Sequence, residues 1–279
     1  MLYSEFVRGR IDAALLLTNA LVCSLSPIYQ ENGGQEQEVT VPLFTMLHST
    51  SSTILTLLSD EMALPDADVL LRSVMEGTVK YCYLLNGTPE EREEKYTEYR
   101  YILHTMEMIT DHRKSLETLQ IFEEFAIDHS KIPFESNIMS EEVIEAFYAR
   151  YPKGERDRIK SKWTYQGMLR SLAEAKPEYR AQLGSLSTYA DTSHYAHFDW
   201  TGLSTRQSRL KCNVTNEFNY DIVHAARIIS NVLCLAMFRV WEYGNVYKKS
   251  TQETYRILGD MANEVKELDL IANDIFSTS

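Results

Sequence analysis

Val69-Leu70-Leu71-Arg72-Ser73-Val74-Met75-Glu76-Gly77-Thr78-Val79-Lys80-Tyr81-Cys82-Tyr83-Leu84-Leu85 is apolar on nearly every side when read at the 3.6-residue helical period. Pro65, Asp66 and Asp68 precede it, suiting the positive end of a helix, and Asn86-Gly87 follows as a stop. A helix that is apolar all round belongs at the centre of a bundle. Arg72 and Glu76 are its exceptions. Positions 69, 72, 76, 79 and 83 fall on one stripe, which sets the pair among Val69, Val79 and Tyr83. In solvent such an i,i+4 pair stabilises by a few tenths of a kcal/mol. Inside a bundle, removing one partner strands a charge and costs about 3–5 kcal/mol. The pair is therefore either a structural cross-brace or the wall of a polar cleft.

Helices extend outward from this one. Thr88-Pro89-Glu90-Glu91 combines a capping Thr, a Pro at the first helical position and a Glu at the capping-box position, opening a helix that runs to about Leu116. Upstream, one helix is expected over residues 3–25, stopping near Pro27, and another over 41–58, with a polar loop at 30–36 between them. Residues 117–165 read as a less regular, insert-like region. It holds one short helix that Ser140-Glu141-Glu142 caps and Pro152 ends. A helix over Tyr165–Ala175 comes next, then one from Pro177 through the Tyr189–Trp200 region. A linker at 201–216 precedes two long helices near 218–243 and 250–276. The 7 prolines and 11 glycines are too sparse for many short strands and turns. The expectation is an all-α, single-domain chain over residues 1–279, a multi-helix bundle of about seven to nine helices with no significant sheet.

A net charge of −12 argues against a general electrostatic grip on nucleic acid or an anionic membrane. One local exception runs from Arg150 to Trp163, where Arg150, Lys153, Arg156, Arg158, Lys160 and Lys162 outnumber Glu155 and Asp157. It reads as a solvated face or as a patch that binds RNA. Cys23, Cys82, Cys212 and Cys234 form no CxxC pair and no Cys/His cluster, so a structural zinc site is not expected. The first residues lack the basic start and cleavage site of a signal peptide, and the apolar stretch 13–25 is too short to span a bilayer. The cytoplasm is the expected compartment, with no membrane association.

Two further groups of polar residues stand out. If Tyr189–Trp200 is helical, Leu186, Tyr189, Ser193, His197 and Trp200 share one face, and Ser193 lies four residues before His197. Such a pair can support nucleophilic chemistry, but no orienting acid or oxyanion donor is evident. A hydroxyl satisfying a buried His is the plainer alternative. His194 and His197, with Asp191 and Asp199 nearby, carry no metal motif, so no metal is expected and the cofactor is unassigned. The other group is Arg100 and His104, followed by Glu107 and Asp111. Positions 93, 97, 100, 104, 107 and 111 are all polar, as on a solvated face. The functional alternative is a ribonuclease-like Arg/His pair of the HEPN type (higher-eukaryote and prokaryote nucleotide-binding helical domains). That type separates the two by four to six residues, whereas three intervene here and the first is Tyr101.

Leu71-Arg72-Ser73-Val74-Met75-Glu76, Trp163-Thr164 and Tyr189-x-x-x-Ser193-x-x-x-His197 occur in that order. Over residues 45–200 the chain thereby resembles a bacterial helical family known as domain of unknown function five-six-seven-seven. The resemblance implies an all-α fold and maps the family's best-placed polar residues to Arg72, Glu76, Ser193 and His197. It brings no established reaction. The expectation it supports is that these four converge in a polar central pocket. There Arg72 binds a phosphate or carboxylate and Glu76 or His197 moves a proton. Arg100, His104, Arg156, Arg158, Lys160 and Trp163 are the expected binding residues. The leading functional expectation is a bacterial or phage-related effector or accessory component of an antiviral defence or toxin-like system, acting on RNA or nucleotides. The alternative is a non-catalytic interaction or scaffold protein whose buried network is structural. A homodimer or a partner protein suits the long helices of either, and whether the chain is an enzyme stays open.

Overall fold

A computed structural model describes residues 3–29, 35–128, 137–187, 189–190, 200–215, 220–247 and 250–277. Every regular element among them is helical, and the all-α expectation holds. The α-helices are α1 (Tyr3–Tyr29), α2 (Gln35–Leu57), α3 (Leu64–Leu85), α4 (Pro89–Thr97), α5 (His104–Glu124), α6 (Glu141–Arg150), α7 (Lys153–Lys162), α8 (Tyr165–Ala175), α9 (Trp200–Thr215), α10 (Tyr220–Tyr247) and α11 (Gln252–Ser277). A π-helical stretch, Glu98–Leu103, joins α4 to α5. Short 3-10 stretches precede α3 (Glu61–Ala63) and follow α8 (Pro177–Gly184). The eleven α-helices among the described residues exceed the seven to nine expected.

The chain forms two compact units, Met1–Asn86 with Met168–Ser279, and Gly87–Gly167. In the first, α3 packs against α2 and α10, α10 also packs against α1 and α11, and α1 also meets α2 and α11. Leu71, Val74, Cys82 and Leu84 of α3 are fully buried with Ile54 and Leu55 of α2 and Ile228, Ile229, Val232 and Leu233 of α10. Each such aliphatic side chain contributes about 1.5–3 kcal/mol through burial. Gly77 permits the close approach of α2, since a Cβ there would strike the Leu47 side chain. By length and composition α10 could cross a membrane, but 56% of its most apolar window is buried within the protein, as in the core helix of a bundle.

The second unit is built on α4, the π-helical stretch and α5, with α6 and α7. Its start follows the expected capping box. Thr88 Oγ1 accepts from the Glu91 amide, and the Glu91 carboxylate accepts from the Thr88 amide. Gly87, at φ +102°, makes the left-handed turn between α3 and this helix.

Four local expectations are corrected. Helix α1 runs through Pro27 to Tyr29, because a proline near a helix end removes one N–H and leaves the upstream ladder intact. Helix α2 starts at Gln35, inside the stretch read as loop, and accommodates Pro42 in its second turn. The supposed linker at 201–216 is α9, whose Thr, Ser and Gly residues mimic a loop in composition. The irregular region holds the end of α5 and a second short helix, α7, which has one buried apolar residue, Ile159, and so no legible apolar stripe.

Candidate functional site

Arg72 and Glu76 are both half-buried on α3, but they do not pair directly. Tyr189 lies between them. The Arg72 Nη2 group donates to the Tyr189 hydroxyl at 3.1 Å, and that hydroxyl donates to Glu76 Oε2 at 3.0 Å. The Arg72 guanidinium also sits over the Tyr189 ring, 4.2 Å from its centroid. Burial, reinforced by the Glu76 charge, raises the phenol pKa, so the bridging proton stays on Tyr189 at neutral pH. The second terminal nitrogen of Arg72, Nη1, is buried and has no hydrogen-bond partner among the described residues. An orphaned N–H on a cation is costly and is suited to an incoming oxyanion. Ser193 and His197, and with them His194, Asp191 and Asp199, lie outside the described residues.

Sequence reading missed three buried polar groups in the same unit. Asp68, fully buried on α3, accepts from Arg227 at 3.1 Å and pairs with His224 Nε2 at 2.7 Å, both on α10. Glu242 of α10, also fully buried, accepts from Lys176 at 2.6 and 2.8 Å and from Tyr179 at 2.7 Å. The buried Arg239 donates to Thr78 at 2.7 Å. Lys176 and Tyr179 tie the 3-10 stretch after α8 to α10, and ten residues further on the same segment presents Tyr189 to α3. Burial pushes the Cys82 thiol up to about 12, which leaves it inert. These partners are more than 60 residues apart in sequence, and no local pattern announces them.

In the second unit, Glu98 is buried in the π-helical stretch. It accepts from the Trp163 indole at 2.7 Å and pairs with Lys162 at 2.8 Å. Tyr99 stacks on Trp163 at 5.4 Å. Trp163, expected as a binding residue, is thus buried and committed to the packing of α7 on this helix. Burial drives the Lys95 ammonium down to about 8; Glu91 opposes the shift and Lys162 adds to it. Arg100 and His104 are exposed, as are residues 93, 97, 107 and 111, so the polar stripe is a solvated face. Arg158 and Lys160 are exposed on α7, while Arg156 is half-buried and donates to the Tyr151 carbonyl at 2.6 Å. Among the described residues, no group of three or more His, Cys, Asp or Glu is placed to hold a metal ion.

Comparison with known proteins finds no match among curated proteins or solved structures. The profile described as Family of unknown function (DUF5677) matches residues 37–216, from α2 to just beyond α9, a span that contains Arg72, Glu76, Tyr189, Ser193 and His197. The match covers well over half of the chain, which therefore belongs to this family.

Proposed function

We propose that the chain acts on RNA or nucleotides, as an effector or accessory component of a bacterial or phage-related defence or toxin-like system, through the polar centre at Arg72, Glu76 and Tyr189. The observation that carries this reading is the buried Arg72 Nη1, which no described residue satisfies, beside a phenol that links the guanidinium to a carboxylate. Arg72 holds an oxyanion of the substrate, and Glu76 takes or returns a proton, directly or through Tyr189. Ser193 and His197 complete the centre in this reading. The cytoplasm is its place of action and a homodimer its assembly.

Turnover of end-labelled RNA and of nucleoside phosphates tests the reading in Arg72→Ala, Glu76→Ala and His197→Ala proteins. The expected result is a loss of about 100-fold for Arg72→Ala, the scale of removing one oxyanion donor, with a modestly changed melting temperature. Full activity in a well-folded Arg72→Ala protein would sink the proposal, and the same outcome for His197→Ala removes His197 from the mechanism. A second reading draws on the direct closure of Arg72, Tyr189 and Glu76 upon one another. In it the three form a structural latch in an interaction protein, and their replacement by Ala yields insoluble or strongly destabilised chains.

A further inference from the structure

We propose that the second unit carries its own nucleoside-phosphate site, in the groove between α5 and α7 and on the cationic rim beside it. The groove has a volume of about 430 Å³ and is lined by Leu103, Met106, Glu107, Thr110, Asp111 and Lys114 of the α5 side and by Lys160 of α7. That size suits a small ligand. Next to it, two guanidinium groups converge on one phenol. Arg113 donates to the Tyr148 hydroxyl at 2.6 Å, and Arg156 lies over the Tyr148 ring at 4.2 Å. Arg113 precedes Lys114 directly on α5, and Arg156 lies one turn before Lys160 on α7, so rim and groove are continuous.

The charges on this rim are not spent internally. No carboxylate among the described residues lies within ion-pair distance of Arg113, Arg156 or Lys160, and Lys114 meets Asp111 only at 3.7 Å. By contrast, Lys162 on the same helix is consumed by Glu98. The Tyr148 hydroxyl accepts from Arg113 and keeps its own proton to donate. Two guanidinium groups and a phenolic O–H, gathered with no described carboxylate paired to them, form a receptor for a phosphoryl group. The carboxylates that line the groove, Glu107 and Asp111 from α5, exclude a plain polyanion or an acidic peptide from it. They are acceptors for ribose hydroxyls or exocyclic amines, and Leu103 and Met106 offer an apolar surface to a base. Phosphate on the rim and nucleoside in the groove satisfy both signs of charge.

The ligand class rests on the reading of the chain as acting on RNA or nucleotides, but none of these residues belongs to the Arg72 centre. Isothermal titration of the full chain with AMP, ADP, a short oligouridine and inorganic phosphate tests the proposal. The variants are Lys160→Gln, Tyr148→Phe and Glu107→Gln, all exposed or half-buried positions. Nucleotide affinity is expected to fall on the order of tenfold for Lys160→Gln and severalfold for Tyr148→Phe. Glu107→Gln is expected to weaken nucleotide and leave phosphate binding unchanged. Binding of AMP or ADP identifies a free nucleotide as ligand, and binding of oligouridine alone identifies a nucleotide within RNA. The proposal is overturned if no nucleotide probe binds, if phosphate binds as well as ADP, or if all three variants bind as wild type. An Arg72→Ala protein separates the two sites. Lost turnover with retained binding fits both proposals. Retained turnover, with binding lost only in the groove variants, defeats the Arg72 reading alone. Binding abolished by Arg72→Ala and untouched by the groove variants defeats the groove alone.

Discussion

Asp68 illustrates what a single buried carboxylate holds in place. It is fully buried and joined to His224 and Arg227, whereas its neighbour Asp66 is exposed. Both looked equivalent in the sequence, as acidic residues near a helix start. Only the packing of α10 on α3 separates them, and the His224 contact spans 156 residues. Asp68→Ala strands two donors and is expected to cost about 3–5 kcal/mol. Asp66→Ala loses only a helix-dipole contribution, under about 1 kcal/mol. Urea denaturation of the two variants checks this, and equal losses would contradict the assignment. Arg72 and Glu76 were legible because charges in an apolar stripe demand a partner. That the partner is a phenol from residue 189, set between them, depends on tertiary structure and could not be read from spacing.

At the scale of elements, boundaries written in local chemistry were legible. Thr88 and Glu91 cap α4 as their spacing implies, and Asn86-Gly87 ends α3. Thr88→Ala is expected to cost about 1 kcal/mol in chemical denaturation, the usual weight of an N-cap. Elements stabilised by packing rather than by local signals were not legible. Helix α7 shows only Ile159 to the core, and α9 carries the Thr, Ser and Gly of a loop. The π-helical stretch also left no signature, although it buries Glu98 beside Lys95 on a helix whose other face is polar. Lys95 makes this region sensitive to pH. Its pKa of about 8 when folded lies below the ordinary lysine value of 10.5. Between those values the unfolded chain therefore binds more protons, and stability rises with pH across that window. Below pH 8 the full cost of burying the ammonium is present. A Lys95→Met protein lacks that cost, so its advantage over wild type is expected to shrink as pH rises from about 8 to about 10.5. A gap that stays constant over that range would mean that Lys95 is not desolvated.

For the whole molecule, a net charge of −12 limits how nucleic acid can be held. Among the described residues a local group of cations offers the grip, against a net charge that repels. If Arg113, Arg156 and Lys160 are the phosphate contacts, the logarithm of RNA affinity is expected to fall with the logarithm of salt with a slope of about −2, from roughly 0.7 per contact on single strands. A much steeper slope would reveal an extended basic surface that these three residues do not provide. Sedimentation equilibrium tests the proposed homodimer, which requires twice the chain mass at micromolar concentration. The central claim is that the Arg72–Tyr189–Glu76 bridge serves chemistry rather than packing, and Tyr189→Phe tests it most directly because it removes one oxygen and keeps the ring. Turnover on RNA or nucleotides, measured beside the melting temperature of the same sample, is expected to fall on the order of tenfold while the melting temperature moves by only a few degrees. Unchanged turnover in a protein whose melting temperature drops sharply would contradict the account and make the bridge a structural latch.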